Sequence, residues 1–180
     1  MRILLLISAV FVLSVFSGYF IGEFLRESAE NFVEQTFQQF EFAKDLEHYE
    51  LFIFILSNNV LKSFASMILG IGFGVVPVLF VILNGLIIGI VVAVIGAKMG
   101  LFLTAALLIP HGILEIPAIL ISSSYGVNLG IEAFRKFRGA DVDLNRSLLE
   151  HLKKFAKIPL PMLLIAALIE TYITPLVAGG

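Results

Sequence analysis

Five apolar runs set the pattern of this chain: Ile3 to Gly22, Leu51 to Ile71, Phe73 to Ala97, Leu101 to Ser124 and Ile158 to Ala178. Each has about the 20 residues that a helix needs to cross a bilayer. The pattern predicts an all-α, polytopic transmembrane helix bundle. It has about five spans, near 3–22, 51–71, 73–97, 101–124 and 158–178, in a single membrane domain covering residues 1–180. The third run carries Pro77 and Asn84-Gly85, and the fourth carries Pro110 and Pro117. Kinked or broken helices are expected there, because neighbouring helices can re-satisfy the freed backbone groups. No small-x-small site follows the first run, so Met1-Arg2 and the residues after it read as a retained signal anchor rather than a cleaved signal.

Two polar segments interrupt the runs. Residues 23–50 carry eight acidic residues against only Arg26 and Lys44. Leu25, Phe32, Phe37, Phe40, Ala43 and Leu46 recur there at close to helical spacing, which predicts an amphipathic helix outside the membrane. Its acidic face suits packing on the bundle, on a second copy or on another protein better than docking on anionic lipid. Residues 131–157 form a basic loop with Arg135, Lys136, Arg138, Arg146, Lys153, Lys154 and Lys157. Positive residues concentrate in cytoplasmic loops. The expected topology therefore has a cytoplasmic N-terminus, an inner basic loop, and an acidic segment and C-terminus outside the cell membrane.

Composition agrees with the pattern. The chain is 59% hydrophobic and 14% charged, where soluble domains average about 25% charged; its mean hydropathy is +1.01. There is no cysteine, which excludes disulfides, thiolate metal sites and a cysteine nucleophile. Nothing in the charge pattern points to nucleic acid, and no cofactor is implied. The lipid bilayer is the first partner. Glycines recur at four-residue spacing at Gly18/Gly22, Gly70/Gly74, Gly85/Gly89, Gly96/Gly100 and Gly126/Gly130. Such pairs let membrane helices approach closely. Gly70, Gly74, Gly85, Gly89 and Gly112 are the predicted packing glycines, and with the outer helix they offer a route to a homodimer. Gly70-Ile71-Gly72-Phe73-Gly74 lacks the lysine of a phosphate-binding loop and reads as a tight interhelical turn.

Polar residues inside the spans are costly and mark candidate sites. At about 1.5 Å per residue, Lys62, Asn84, His111 and Glu170 fall roughly 15–18 Å from the ends of their spans, near mid-depth. Asn58 and Asn59 fall a turn further out and Glu115 a turn further in. These seven residues form a predicted intramembrane polar network. It can act as an internal register device or as a hydrated site for an ion, proton or polar solute. A metal site is a weaker reading. A catalytic zinc takes three protein ligands, whereas His48 and His151 belong to opposite sides, leaving His111 and Glu115 as weak candidates. His-x-x-x-Glu is not the His-Glu-x-x-His of zinc proteases. Ser122, Ser123 and Ser124 follow no nucleophile elbow and read as packing or capping hydroxyls. No catalytic residue is assigned, and the chain reads as more plausibly non-enzymatic.

Three stretches carry a family resemblance: Ser57-Asn58-Asn59, Asn84-Gly85-Leu86-Ile87-Ile88-Gly89 and Pro110-His111-Gly112-Ile113-Leu114-Glu115-Ile116-Pro117-Ala118. In that order, from about Leu51 onward, they resemble the stage II sporulation protein M family of integral membrane proteins, known also from archaea and non-sporulating bacteria. The cysteine-free, phenylalanine-rich composition suits an archaeal member. The resemblance implies a membrane scaffold or complex subunit that recruits another membrane or extracytoplasmic protein. The alternatives are a transporter or channel component using Lys62, Asn84, His111, Glu115 and Glu170, and a metal-dependent intramembrane hydrolase.

Overall fold

The computed structural model describes residues 2–174, apart from the side chains of Lys44, Leu107, Pro110 and His111. Among the described residues there are seven α-helices and no strand: α1 (Arg2–Phe24), α2 (Arg26–Gln39), α3 (His48–Leu69), α4 (Val75–Met99), α5 (Leu101–Phe137), α6 (Leu144–Lys157) and α7 (Pro159–Tyr172). A 3-10 helix, Glu41–Asp45, links α2 to α3. Four helices, α1, α3, α4 and the Gly112–Phe137 part of α5, are long and apolar enough to cross a membrane. The chain is a membrane protein of helical-bundle architecture. The end of the fifth expected span, residues 175–178, lies outside the described residues.

Two helix pairs are joined through glycine. Gly18 of α1 meets the Leu86 backbone of α4, and Gly22 meets Ala93. In the reverse direction, Gly85 meets Ser14 and Phe11, and Gly89 meets Val15 and Gly18. The numbers rise together along both helices, so α1 and α4 run parallel. The second pair is α3 and α5. Gly70 meets Gly126, and Gly130 meets Gly74 and Gly70. Backbones come this close only where no Cβ intervenes. The glycine faces offered as a dimer surface are therefore filled by helices of the same chain. Gly112 differs from the other packing candidates: among the described residues, a Cβ there would meet only Ile116 Cδ1 of its own helix, at 3.5 Å.

The helix α5 is the hub, packing on α1, α3, α4, α6 and α7. It has 37 residues, about 55 Å at the helical rise, and so outruns a hydrocarbon core about 30 Å thick. The expected boundary at Ser124 is not a boundary. The helix continues to Phe137, and the predicted basic loop consists of this overhang, a turn at Gly139 (φ 84°) and α6. The helix assignment also runs through Pro110 and Pro117, and Pro77 lies in the first turn of α4, where its missing N–H costs little. Helix breaks fall at Leu25 and Ile158.

The acidic segment is helical, but it buries a different face from the predicted one. Ala29 and Val33, four residues apart, pack on Val94, with Ile90 and Ile95 beside them. Phe32, Phe37 and Phe40 are exposed. The face of α1 that carries Gly22 continues onto Ala29 and Val33, and small side chains keep the chain close to α4 where phenylalanine would hold it off. The 3-10 helix folds back on α3 through Phe42 and Phe54, with ring centroids 5.2 Å apart. The helix α3 then opens on a capping box in which the Glu47 N–H donates to Glu50 Oε2 at 3.0 Å.

Candidate functional site: a cavity inside the bundle

Ring contacts fix which residues share a level. At one end of the bundle His48 stacks on Tyr172, with centroids 5.6 Å apart. At the other, Phe64 meets Phe155 at 5.5 Å and Phe73 meets Phe134 at 5.9 Å. The first end holds the acidic segment; the second holds Arg2, the α5 overhang and α6. His48 and His151 thus lie at opposite ends.

In the middle, a cavity of about 190 Å³ lies where α1, α4 and α5 meet. At about 30 Å³ per water, it has room for several. Phe11 lines it from α1, Asn84 with Ile87 and Ile88 from α4, and Gly112, Glu115 and Ile119 from α5. The short turn at Gly100 (φ 88°) makes α4 and α5 an antiparallel hairpin. This sets Asn84 opposite Glu115. Asn84 Nδ2 donates to the Phe80 carbonyl at 2.7 Å, so its carboxamide oxygen remains as an acceptor. Glu115 is half-buried and engaged within the fold. A carboxyl group inside a membrane needs protein or water around it, and the cavity has protein walls and room for water. Gly112 leaves the space that any side chain would narrow.

The other predicted network residues are placed as follows. Ser66 and Ser123 share a buried hydrogen bond of 3.0 Å between α3 and α5. Counting one helical rise per residue from that bond, Asn58 and Asn59, both half-buried, stand level with Glu115. Lys62 stands about a turn nearer the basic end, and its side chain is exposed on the outer face of α3. Glu170 lies two residues from Tyr172, which stacks on His48, the first residue of α3. That separates Glu170 from Lys62 by roughly 18 Å along the bundle. Asn84 and Glu115 share the cavity, and Lys62 and Glu170 do not join them. The His111 side chain lies outside the described residues.

Some polar contacts had no clear signal in the sequence. Among Ser122, Ser123 and Ser124, the first and last bond back to their own helix, at the Ala118 and Ile121 carbonyls. Only Ser123 crosses to another helix. At the basic end Ser147 donates to Glu132, the His151 ring bonds the Ser147 carbonyl at 2.9 Å, and Tyr125 meets His151 edge-on at 5.5 Å. His151 is 7% exposed. Pairs such as Ser147 and Glu132 join helices through a turn whose geometry spacing alone does not give. Among the described residues, no three His, Asp or Glu side chains converge as a metal site would need.

Comparison with known proteins places the chain. An uncharacterised protein of Methanocaldococcus jannaschii is 32% identical over 126 residues, covering 69% of this chain and 71% of the relative. A second uncharacterised protein of the same organism is 27% identical over 189 residues, covering 96% of this chain and 81% of the relative. No solved structure matches the chain significantly. The model of the family described as stage II sporulation protein M matches residues 7–175. The chain therefore belongs to the stage II sporulation protein M family.

Proposed function

We propose that this protein is a non-enzymatic membrane subunit whose acidic end holds a second protein in place. The observation that carries this reading is the setting of α2. Its small residues Ala29 and Val33 fasten it to α4, while Phe32 and Phe37 stay exposed beside Glu27 and Glu34. An aromatic and acidic surface on a fixed helix suits a partner with apolar contacts and a basic rim. The topology expected from positive residues places this end outside the cell. A photo-crosslinking residue at Phe37 in native membranes tests the reading. One protein is expected to be captured reproducibly, and Glu27→Lys with Glu34→Lys is expected to abolish its capture. Adducts to lipid alone, or capture indifferent to charge reversal, would refute it.

A second reading is supported by the mid-membrane cavity. Its described polar groups, the Asn84 carboxamide and the Glu115 carboxyl, favour a proton, a cation or a hydrogen-bond donor over an anion. In this reading the chain is a transporter or channel component. Liposome flux of a small cation or of protons, sensitive to Glu115→Gln and blocked by Gly112→Val, is the expected result. Flux unaffected by both substitutions would count against it.

A further inference from the structure

The bundle offers the bilayer two faces of different apolar height. On the α4 face, residues 75–97 include no charged side chain and stand about 33 Å tall at the helical rise. The turn that leads into α4 is apolar as well. No side chain in residues 67–83 is polar, and Ile71 and Phe73 are exposed. Such a turn suits the membrane interface, where aromatic side chains collect, and not open water.

The face built by α3, α6 and α7 is shorter. Phe155 of α6 is buried in a core with Met67 of α3 and Leu129 of α5. Its ring meets Phe64 of α3 with centroids 5.5 Å apart, and Tyr172 of α7 stacks on His48 of α3. The two contacts agree: the path between them is about 24–26 Å whether counted along α3 or along α6 and α7. So α6 and α7 together run antiparallel to α3, and Lys157 stands level with Lys62. The outward edge of α6 carries Arg146, Glu150, Lys153 and Lys157, all exposed, and Lys62 is exposed too. From that level to the far end, Lys157 to Tyr172 and Lys62 to His48, is about 21–23 Å, against a hydrocarbon core about 30 Å thick. A lysine stem can lift one charge a few ångström toward the surface, whereas this polar edge descends through about three turns of α6.

We propose that the α3, α6 and α7 face thins the bilayer beside it, drawing headgroups and water of the basic-side leaflet down to the level of Lys153 and Lys157. Bilayers accommodate a short span with charged flanks in this way, and the thinned strip lowers the cost of a charge beside the protein. Single cysteines in the cysteine-free chain, labelled with a charged thiol reagent in phosphatidylcholine nanodiscs, test it. Ala156→Cys lies on the exposed edge of α6 near Lys153 and Lys157, and Leu79→Cys lies on the α4 face, where Leu79 is 52% exposed. Counted from the level of Asn59 and Asn84, both stand about 6–8 Å toward the basic end. They differ in face and not in depth. Ala156→Cys is expected to react within about tenfold of Lys136→Cys, which lies on the α5 overhang, and Leu79→Cys about a hundredfold more slowly. Lengthening the acyl chains is expected to slow Ala156→Cys, and Lys153→Leu with Lys157→Leu is expected to slow it at least about tenfold. The chain-length series needs no further substitution, so it stands if the leucine variant unfolds. Labelling as slow at Ala156→Cys as at Leu79→Cys would overturn the proposal. Rapid Ala156→Cys labelling that ignores chain length would belong to a protein-lined water path and would overturn it equally.

Discussion

Alanine at Gly85 and alanine at Gly112 are the same chemical change with opposite expected outcomes. A Cβ on Gly85 would stand 2.7 Å from Ser14 Cβ and 2.8 Å from the Phe11 carbonyl oxygen. Ordinary carbon contacts lie at about 3.5–4.0 Å, so α1 must retreat by about an ångström or the helices must part. The Phe11 oxygen is backbone and cannot rotate away. Overpacking of this kind costs about 1–3 kcal/mol, partly offset by a helix-propensity gain of about 0.8–1 kcal/mol for alanine over glycine. At Gly112 the new Cβ meets Ile116 Cδ1 at 3.5 Å, an ordinary contact. There the propensity gain stands almost alone.

The expected gap between the two variants is about 1–3 kcal/mol, with Gly112→Ala the more stable. At roughly 2–4 °C per kcal/mol for a chain of this size, the melting temperatures should differ by several degrees. Thermal unfolding in detergent, followed by helical circular dichroism, measures this directly. Ser14→Gly added to Gly85→Ala removes the side-chain half of the clash and is expected to recover part of the loss. Equal melting temperatures for the two alanine variants would refute the close packing of α1 on α4. It would also remove the distinction between packing glycines and the cavity glycine.

Other outcomes follow from single contacts. Ser123→Ala leaves the buried Ser66 hydroxyl without its partner and is expected to cost about 0.5–1.5 kcal/mol; adding Ser66→Ala should cost less than a second such loss, as a double-mutant cycle would show. Asp143→Ala removes the cap of α6 and is expected to cost about 1 kcal/mol, read as faster amide exchange over residues 144–147. Because the chain has no cysteine, Ile87→Cys gives a single probe on the cavity wall. It is expected to react with small water-soluble thiol reagents and to be protected by Gly112→Val; labelling unchanged by that substitution would mean the cavity is not its route to water. Single cysteines at Lys136 and Phe37 are expected to label from opposite sides of the membrane with an impermeant reagent.

The apolar runs were legible because a membrane imposes length and polarity on every span at once. The structure sets Gly18 against Leu86, Gly22 against Ala93, Gly85 against Ser14 and Gly89 against Val15 and Gly18, at the close approach that a missing Cβ permits. Which glycine faced which was not legible, since partner choice depends on the fold of the whole chain. The length of α5 was missed because the polar residues after Ser124 read as loop, whereas tertiary contacts with α6 and with Phe73 carry the helix to Phe137. Depth counting put Asn84 near mid-depth and Glu115 a turn further in; the tight turn at Gly100 sets α4 and α5 in a register that puts both on one cavity. It gave no such guide for Glu170, whose level is set by the His48 and Tyr172 stack. No spacing in either helix encodes that contact.

The position of the cavity follows from the glycine pairing. The helices α1 and α4 form one close-packed unit, and α3 and α5 form another. Where backbones touch, no space is left for water or ligand, and any shift must break many contacts together. The face where α5 meets α1 and α4 is filled instead by bulky side chains such as Phe11, Ile88 and Ile119, with Gly112 leaving a gap among them. Close packing is thus concentrated within the units, and the space lies between them. Asn84 and Glu115 lie at the same seam. A fold that needed Asn84 and Glu115 only to set register could have paired them across a glycine contact, as it does for Ser66 and Ser123 beside Gly126. Placing them around a space of about 190 Å³ gives up packing that the sequence achieves elsewhere in the same helices. That loss is the strongest structural argument for testing the cavity as a site rather than as a strut.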